Sequence, residues 1–115
     1  MTLSPDVATW ADFERVGLRA GTIRKVEPFP EARKPAYRLW IDFGPFGVKQ
    51  SSAQLTALYR AEDLIGRQVI CATGLGTKRV AGFKSEVLVT GFARGDGAII
   101  LAATERVVAD GSALC

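Results

Sequence analysis

A chain of 115 residues, 48% hydrophobic and with twelve glycines, has the size of one compact domain rather than two. It has no histidine, which removes histidine-dependent triads, metal sites and acid–base relays, and two cysteines alone do not make a zinc site. Fifteen Lys and Arg against twelve Asp and Glu give a net +3, a modest lean toward anionic partners.

The first thirty residues carry Asp6, Asp12, Glu14 and Glu27 and no apolar signal region. No apolar run approaches the roughly 20 residues that cross a bilayer. The expectation is a cytoplasmic protein without membrane insertion. Cys71, inside an apolar run, reads as a buried inert thiol, and Cys115 as a frayed end, rather than as a disulfide pair.

Ser4-Pro5-Asp6 has the form of a helix N-cap with proline at the first helical position, predicting a short helix that ends near Ala11. Trp10 and Phe13 then need cover, from their own chain or from a partner subunit. From Val16 the pattern alternates, and residues 17–27 read as one long strand bent at Gly21. Three prolines in residues 28–35 make a restricted loop presenting Arg33 and Lys34. Next, Tyr37, Leu39, Ile41 and Phe43 alternate with Arg38, Trp40 and Asp42, the clearest half-buried strand in the chain. Trp40 lies on its polar face, either as a stacking platform or covered by a neighbouring loop or subunit.

Gly44-Pro-Phe-Gly47 is a turn, and residues 48–52 form the returning arm of a hairpin. Lys49, Gln50, Ser51, Ser52 and Gln54 crowd donors into six positions, suited to phosphate or peptide-backbone contacts or simply to water. Residues 56–64 carry the one mid-chain helical spacing, ended by Gly66. The sheet resumes at 68–73, and residues 74–78 form a flexible loop. Its Gly-x-Gly lacks the third glycine and the βαβ context of a dinucleotide fingerprint. Residues 85–92 read as a strand with Val87 and Val89 on one side and Leu88 on the other. Arg94-Gly-Asp-Gly97 is a hairpin turn into residues 98–102. The tail from Thr104 carries Val107, Val108 and Leu114.

The paired carboxylates Glu62 and Asp63 read as a solvated helix face, so no catalytic constellation, cofactor or metal site is expected. An all-β chain with a short helix between its third and fourth strands, and a bend in the first, predicts a five-stranded OB-fold barrel. Such barrels bind nucleic acid through a positive groove with aromatic platforms, for which Arg38, Trp40, Lys49, Lys78, Arg79 and Lys84 are candidates.

The blocks Asp12-Phe-Glu-Arg-Val16, Leu18-Arg-Ala-Gly-Thr-Ile23, Pro28-Phe-Pro-Glu-Ala-Arg-Lys-Pro-Ala-Tyr37, Gln50-Ser-Ser-Ala-Gln54, Gly66-Arg-Gln-Val69 and Arg79-Val-Ala-Gly-Phe-Lys-Ser-Glu-Val-Leu-Val89 resemble the CsaA family. These are stand-alone members of the superfamily whose domain is also appended to methionyl-tRNA and phenylalanyl-tRNA synthetases. The resemblance implies an OB-fold homodimer whose N-terminal (1–15) and C-terminal (104–115) extensions flank a barrel at 16–103 and build the interface. It also implies chaperone-like binding of unfolded or export-destined polypeptides, and a basic surface of the tRNA-binding type. By position, Lys49, Ser51, Ser52, Gln54, Arg79, Phe83, Lys84 and Ser85 match the family's binding-face motifs, with Gly82 needed for backbone conformation.

Two departures stand out. Residues 74–78, Gly-Leu-Gly-Thr-Lys, replace an Asn-Phe-Pro-Pro-Arg type of loop, and Val107-Val-Ala-Asp-Gly111 replaces a proline-containing segment before Asn-Gly. Three functions are thus expected as alternatives. They are a polypeptide-binding chaperone with Phe83 or Leu75 as apolar contacts, a tRNA or structured-RNA module, and a docking module whose apolar tail makes the contact.

Overall fold

The computed structural model describes residues 6–115, and its barrel turns on one long strand. That strand, β1 (Leu18–Pro28), pairs through its first half with β4 (Gln68–Ala72), from Leu18↔Ala72 to Thr22↔Gln68. Its second half pairs with β2 (Tyr37–Asp42), from Thr22↔Asp42 to Pro28↔Tyr37. A strand that changes partners midway curls the sheet. β2 pairs in turn with β3 (Val48–Ala53), and β4 with β7 (Leu88–Val89), giving the antiparallel order β3-β2-β1-β4-β7. The two edges meet where Glu86 N–H donates to Gln50 O at 2.8 Å and Ser51 Oγ to Val87 O at 2.8 Å. The result is the expected barrel, nearly closed and mostly β.

The alternation read from sequence sets its inside. Ile23, Leu39, Ile41, Phe43, Leu55, Leu64, Val69, Cys71 and Val87 form the buried core, while Arg38, Trp40 and Asp42 face outward. Val87 and Val89 also turn inward and Leu88 outward, as the pattern implied.

The register shift in β1 falls between Ile23 and Lys25, three residues beyond the expected bend. Gly21 is required for space instead: a Cβ there would lie 2.6 Å from the Phe43 ring.

Three further expectations are corrected. The first helix, α1, spans Trp10–Val16 and is capped by Thr9, whose hydroxyl accepts from Asp12 N–H while the Asp12 carboxylate accepts from Thr9 N–H. The Ser4-Pro5 signal lies outside the described residues. The helix predicted at 56–64 shortens to α2, Ala61–Leu64. Tyr37 Oη takes the Tyr59 carbonyl at 2.8 Å, so that acceptor is drawn toward β2.

The strand predicted at 85–92 is three pieces. β5 (Lys78–Val80) and β6 (Phe83–Ser85) form their own hairpin, β7 follows, and β8 (Gly91–Ala93) leaves for a second ribbon with β9 (Ile99–Leu101). The break is at Thr90, whose N–H and hydroxyl both go to Ile70 O. The Arg94-Gly-Asp-Gly turn joins β8 to β9 as predicted, with Arg94 N–H on Ala98 O.

The tail is not a free end. Gly111 N–H donates to Ala20 O, Ala20 N–H to Ser112 O and Leu114 N–H to Leu18 O, adding a strand-like arm beside β1. Gln68 pins it with four hydrogen bonds, donating to Val108 O and Asp110 Oδ1 and accepting from Val108 N–H and Thr104 Oγ1.

Candidate functional site

The candidate residues gather on and beside the β5–β6 hairpin, which lies against the outer surface of β2 and β3. Its two turn residues, Ala81 at φ 46° and Gly82 at φ 82°, have the positive φ that a type I′ hairpin turn requires. The hairpin therefore has two distinct faces. Val80 and Phe83 are paired across it, as are Arg79 and Lys84 one step on. Period-two alternation puts the apolar pair on one face and the cations on the other.

Phe83 packs edge-on against Phe29 (centroids 5.5 Å, 68°) and Trp40 (5.8 Å, 76°). Of the two readings of Trp40, cover by a neighbouring element is the one found, and the ring remains half-buried. Lys25 Nζ sits 4.6 Å from the Trp40 centroid, and Arg38 Cζ is 5.3 Å from Phe29 and 6.0 Å from Phe83. Arg38 is ion-paired to Glu27 at 3.4 Å, and its buried Nε has no partner. This cation–aromatic cluster fixes the hairpin to the barrel. Phe29 and Lys25 in it escaped the sequence reading, because Phe29 sits among prolines and its burial comes from β6, over fifty positions away.

On the opposite face Arg79 and Lys84 stand directly across from each other. Lys49, Lys78, Arg79 and Lys84 form no ion pair among the described residues, whereas Arg24, Lys25, Arg38, Arg60 and Arg94 are paired. Like charges facing across two strands repel, and an anion placed between them relieves this. Arg79 makes one long contact, 3.5 Å, to Gly82 O in its own turn.

The remaining candidates divide. Ser51 is 0% exposed and its hydroxyl donates to Val87 O, so its side chain belongs to the barrel closure. Ser85 Oγ accepts from Ser52 N–H at 3.1 Å and lies 3.5 Å from Ser51 Oγ, which makes it part of the same line. Gln50 Nε2 donates to Lys84 O, tying β3 to the hairpin.

Gln54 and Lys34 stand apart, lining a shallow cleft of about 340 Å³ with Asp96 and Ala98, and Arg33 is exposed on its loop. Asp96 there is held down at about 2, first by its hydrogen bond from Arg94 and then by Ala98 N–H. Lys49 lines a second cleft of about 350 Å³ at the root of the hairpin, with Arg19, Phe46, Thr77 and Glu86. Among the described residues no group of three or more His, Cys, Asp or Glu is arranged to hold a metal ion, and no helix is long and apolar enough to cross a membrane.

Comparison with known proteins bears on this geometry. The structure is similar to that of the chaperone CsaA from Bacillus anthracis str. Ames, with 47% identity and a TM-score of 0.89 over 95% of this chain and 99% of that one. It is also similar to the CsaA chaperone protein from Picrophilus torridus, at 39% identity and a TM-score of 0.87 over 95% and 100%. A methionine–tRNA ligase from Salinibacter ruber is 32% identical over 87% of this chain, but the chain spans only 14% of that enzyme's length. The family model described as "Putative tRNA binding domain" matches residues 18–113, nearly the whole barrel and its C-terminal arm. The chain therefore belongs to the tRNA-binding-domain family.

Proposed function

We propose that this protein is a CsaA-like chaperone, a cytoplasmic homodimer that binds unfolded or export-destined polypeptides and performs no catalysis. The observation that carries this reading is likeness to CsaA structures at 47% and 39% identity, over 95% of this chain and nearly the whole of those. The chain is one domain with a helical extension to residue 15, a barrel at 16–103 and a C-terminal extension at 104–115. Its binding face centres on Lys49, Ser52, Lys78, Arg79 and Lys84, on and beside a hairpin that Phe83 anchors against Arg38 and Trp40, and Ser85 against Ser52. Gln54 with Lys34 and Arg33 offers a separate, outer contact. Ser51 serves it by holding Val87.

Exposed apolar side chains support a pairing surface. Trp10 is 88% exposed, Val107 86% and Phe92 70%, large apolar side chains that a second copy of the chain would cover.

A second reading, binding of tRNA or another structured RNA, is favoured by the facing, unpaired Arg79 and Lys84 and by the family to which the chain belongs. The two are separated by titrating salt against bulk tRNA and an unfolded model polypeptide side by side. Polypeptide binding that tolerates salt, with weak tRNA binding, upholds the chaperone. Saturable tRNA binding whose logarithmic slope against salt is about 0.7 to 0.9 per phosphate contact, without polypeptide binding, establishes the RNA module. In the RNA case Arg79→Glu with Lys84→Glu abolishes binding, and survival of binding would displace the hairpin from the site.

A further inference from the structure

The cleft at the hairpin's root holds two cations without ionic partners. Arg19 is half-buried. Its Nη1 donates to Gly111 O at 2.8 Å and its Cζ lies 4.1 Å from the Phe46 ring centroid, so the guanidinium is fixed in place. It donates no other hydrogen bond and pairs with no carboxylate among the described residues. A half-buried guanidinium held by a carbonyl and a ring still has donors to offer a carboxylate, in the two-pronged geometry that suits them.

Lys49, from β3, lines the same cleft and is likewise unpaired. Across from them Glu86 accepts from Gln50 N–H through Oε1 and is the one acid of the lining. Phe46, Phe43 and Val87 make its apolar surface.

Two cations, one acid and an apolar floor suit a singly charged anion that carries both a hydrogen-bond donor and an apolar group. They suit a phosphate monoester poorly, since the acid repels its second charge, and a phosphodiester poorly, since it is singly charged but has no hydrogen-bond donor of its own to meet the acid. The surface suited to phosphates is the acid-free cationic face of the hairpin. We propose that this cleft takes the C-terminal residue of a polypeptide. The α-carboxylate sits between Arg19 and Lys49, the terminal amide N–H faces Glu86, and an apolar side chain lies on Phe46 and Val87. This rests on the polypeptide-binding reading and adds that the protein prefers chain ends to chain interiors.

The test uses an unstructured peptide ending in leucine, labelled at its N-terminus, as free acid and as amide, with binding followed by fluorescence anisotropy. The acid binds about tenfold tighter than the amide, the worth of one charge-assisted hydrogen bond. That ratio falls toward one in Lys49→Gln, and replacing the terminal leucine by glycine weakens the acid. Equal binding of acid and amide overturns the cleft assignment and leaves the polypeptide reading standing. Failure of both peptides to bind sinks that reading and the cleft with it. An acid preference undiminished in both Lys49→Gln and Phe46→Ala puts the carboxylate elsewhere and refutes the proposal. Displacement of the acid peptide by a 5′-phosphorylated oligoribonucleotide, but not by its unphosphorylated twin, refutes it in favour of a phosphate site.

Discussion

Ala81 is the one non-glycine residue with positive φ among those described. A Cβ in that region costs about 1–2 kcal/mol, and Asn bears it better than Ala. Ala81→Asn is therefore expected to stabilise the protein by about 0.5–1 kcal/mol in denaturant unfolding, provided the hairpin unfolds with the barrel. Cys71 makes the opposite kind of demand. Burial pushes its thiol up to about 12, so the folded state favours the protonated form. The sign follows: stability from this group is complete below the ordinary thiol value of about 8.5 and is lost as pH rises from there toward 12. Native protein is expected to present one thiol to an alkylating reagent, at exposed Cys115, and two after denaturation. Two reactive thiols in the native state would contradict the buried placement. Cys71 was legible from its apolar run alone, whereas nothing local distinguished Ala81 from any other alanine.

Among the elements, β2 and the β8–β9 turn were legible because their causes are local: alternation in one, Asp-Gly between apolar runs in the other. The C-terminal arm was not. The bonds that fix it join Arg19 to Gly111 and Thr22 to Asp110, 92 and 88 positions apart, and no spacing rule reaches that far. The candidate site divides the same way. Lys49, Arg79 and Lys84 announced themselves by composition, while Arg19, Phe46 and Glu86 gain meaning only where β1 and the hairpin root converge. Gln68 bears most on the arm, since its amide satisfies both the N–H and the carbonyl of Val108. Gln68→Ala is expected to cost about 1–2 kcal/mol, by leaving those partners to water or unpaired. Hydrogen exchange should show the loss at residues 108–114. Protection unchanged there would mean that the backbone bonds to Leu18 and Ala20 hold the arm alone.

At the scale of the whole molecule, the apolar side chains exposed on α1, β8 and the arm predict a mass in solution of twice 12.3 kDa. Trp10→Asp with Phe92→Asp should halve that mass. A native chain that is already monomeric in light scattering would remove the homodimer from the proposal. Because the arm is bound to its own barrel, its truncation tests folding as well as pairing, and the two point changes separate those effects.

The barrel is shut along one line by Ser51, Ser85 and the Glu86 amide, where the other strand pairs are joined by regular backbone ladders. This join therefore depends on two side-chain hydroxyls and one backbone pair, and a buried hydroxyl lost from it leaves a carbonyl without its donor. The hairpin carrying Arg79 and Lys84 is stitched to that join by Gln50 and Ser52. A single change at Ser51 or Ser85 thus alters how the hairpin is anchored to the barrel while leaving every ladder intact.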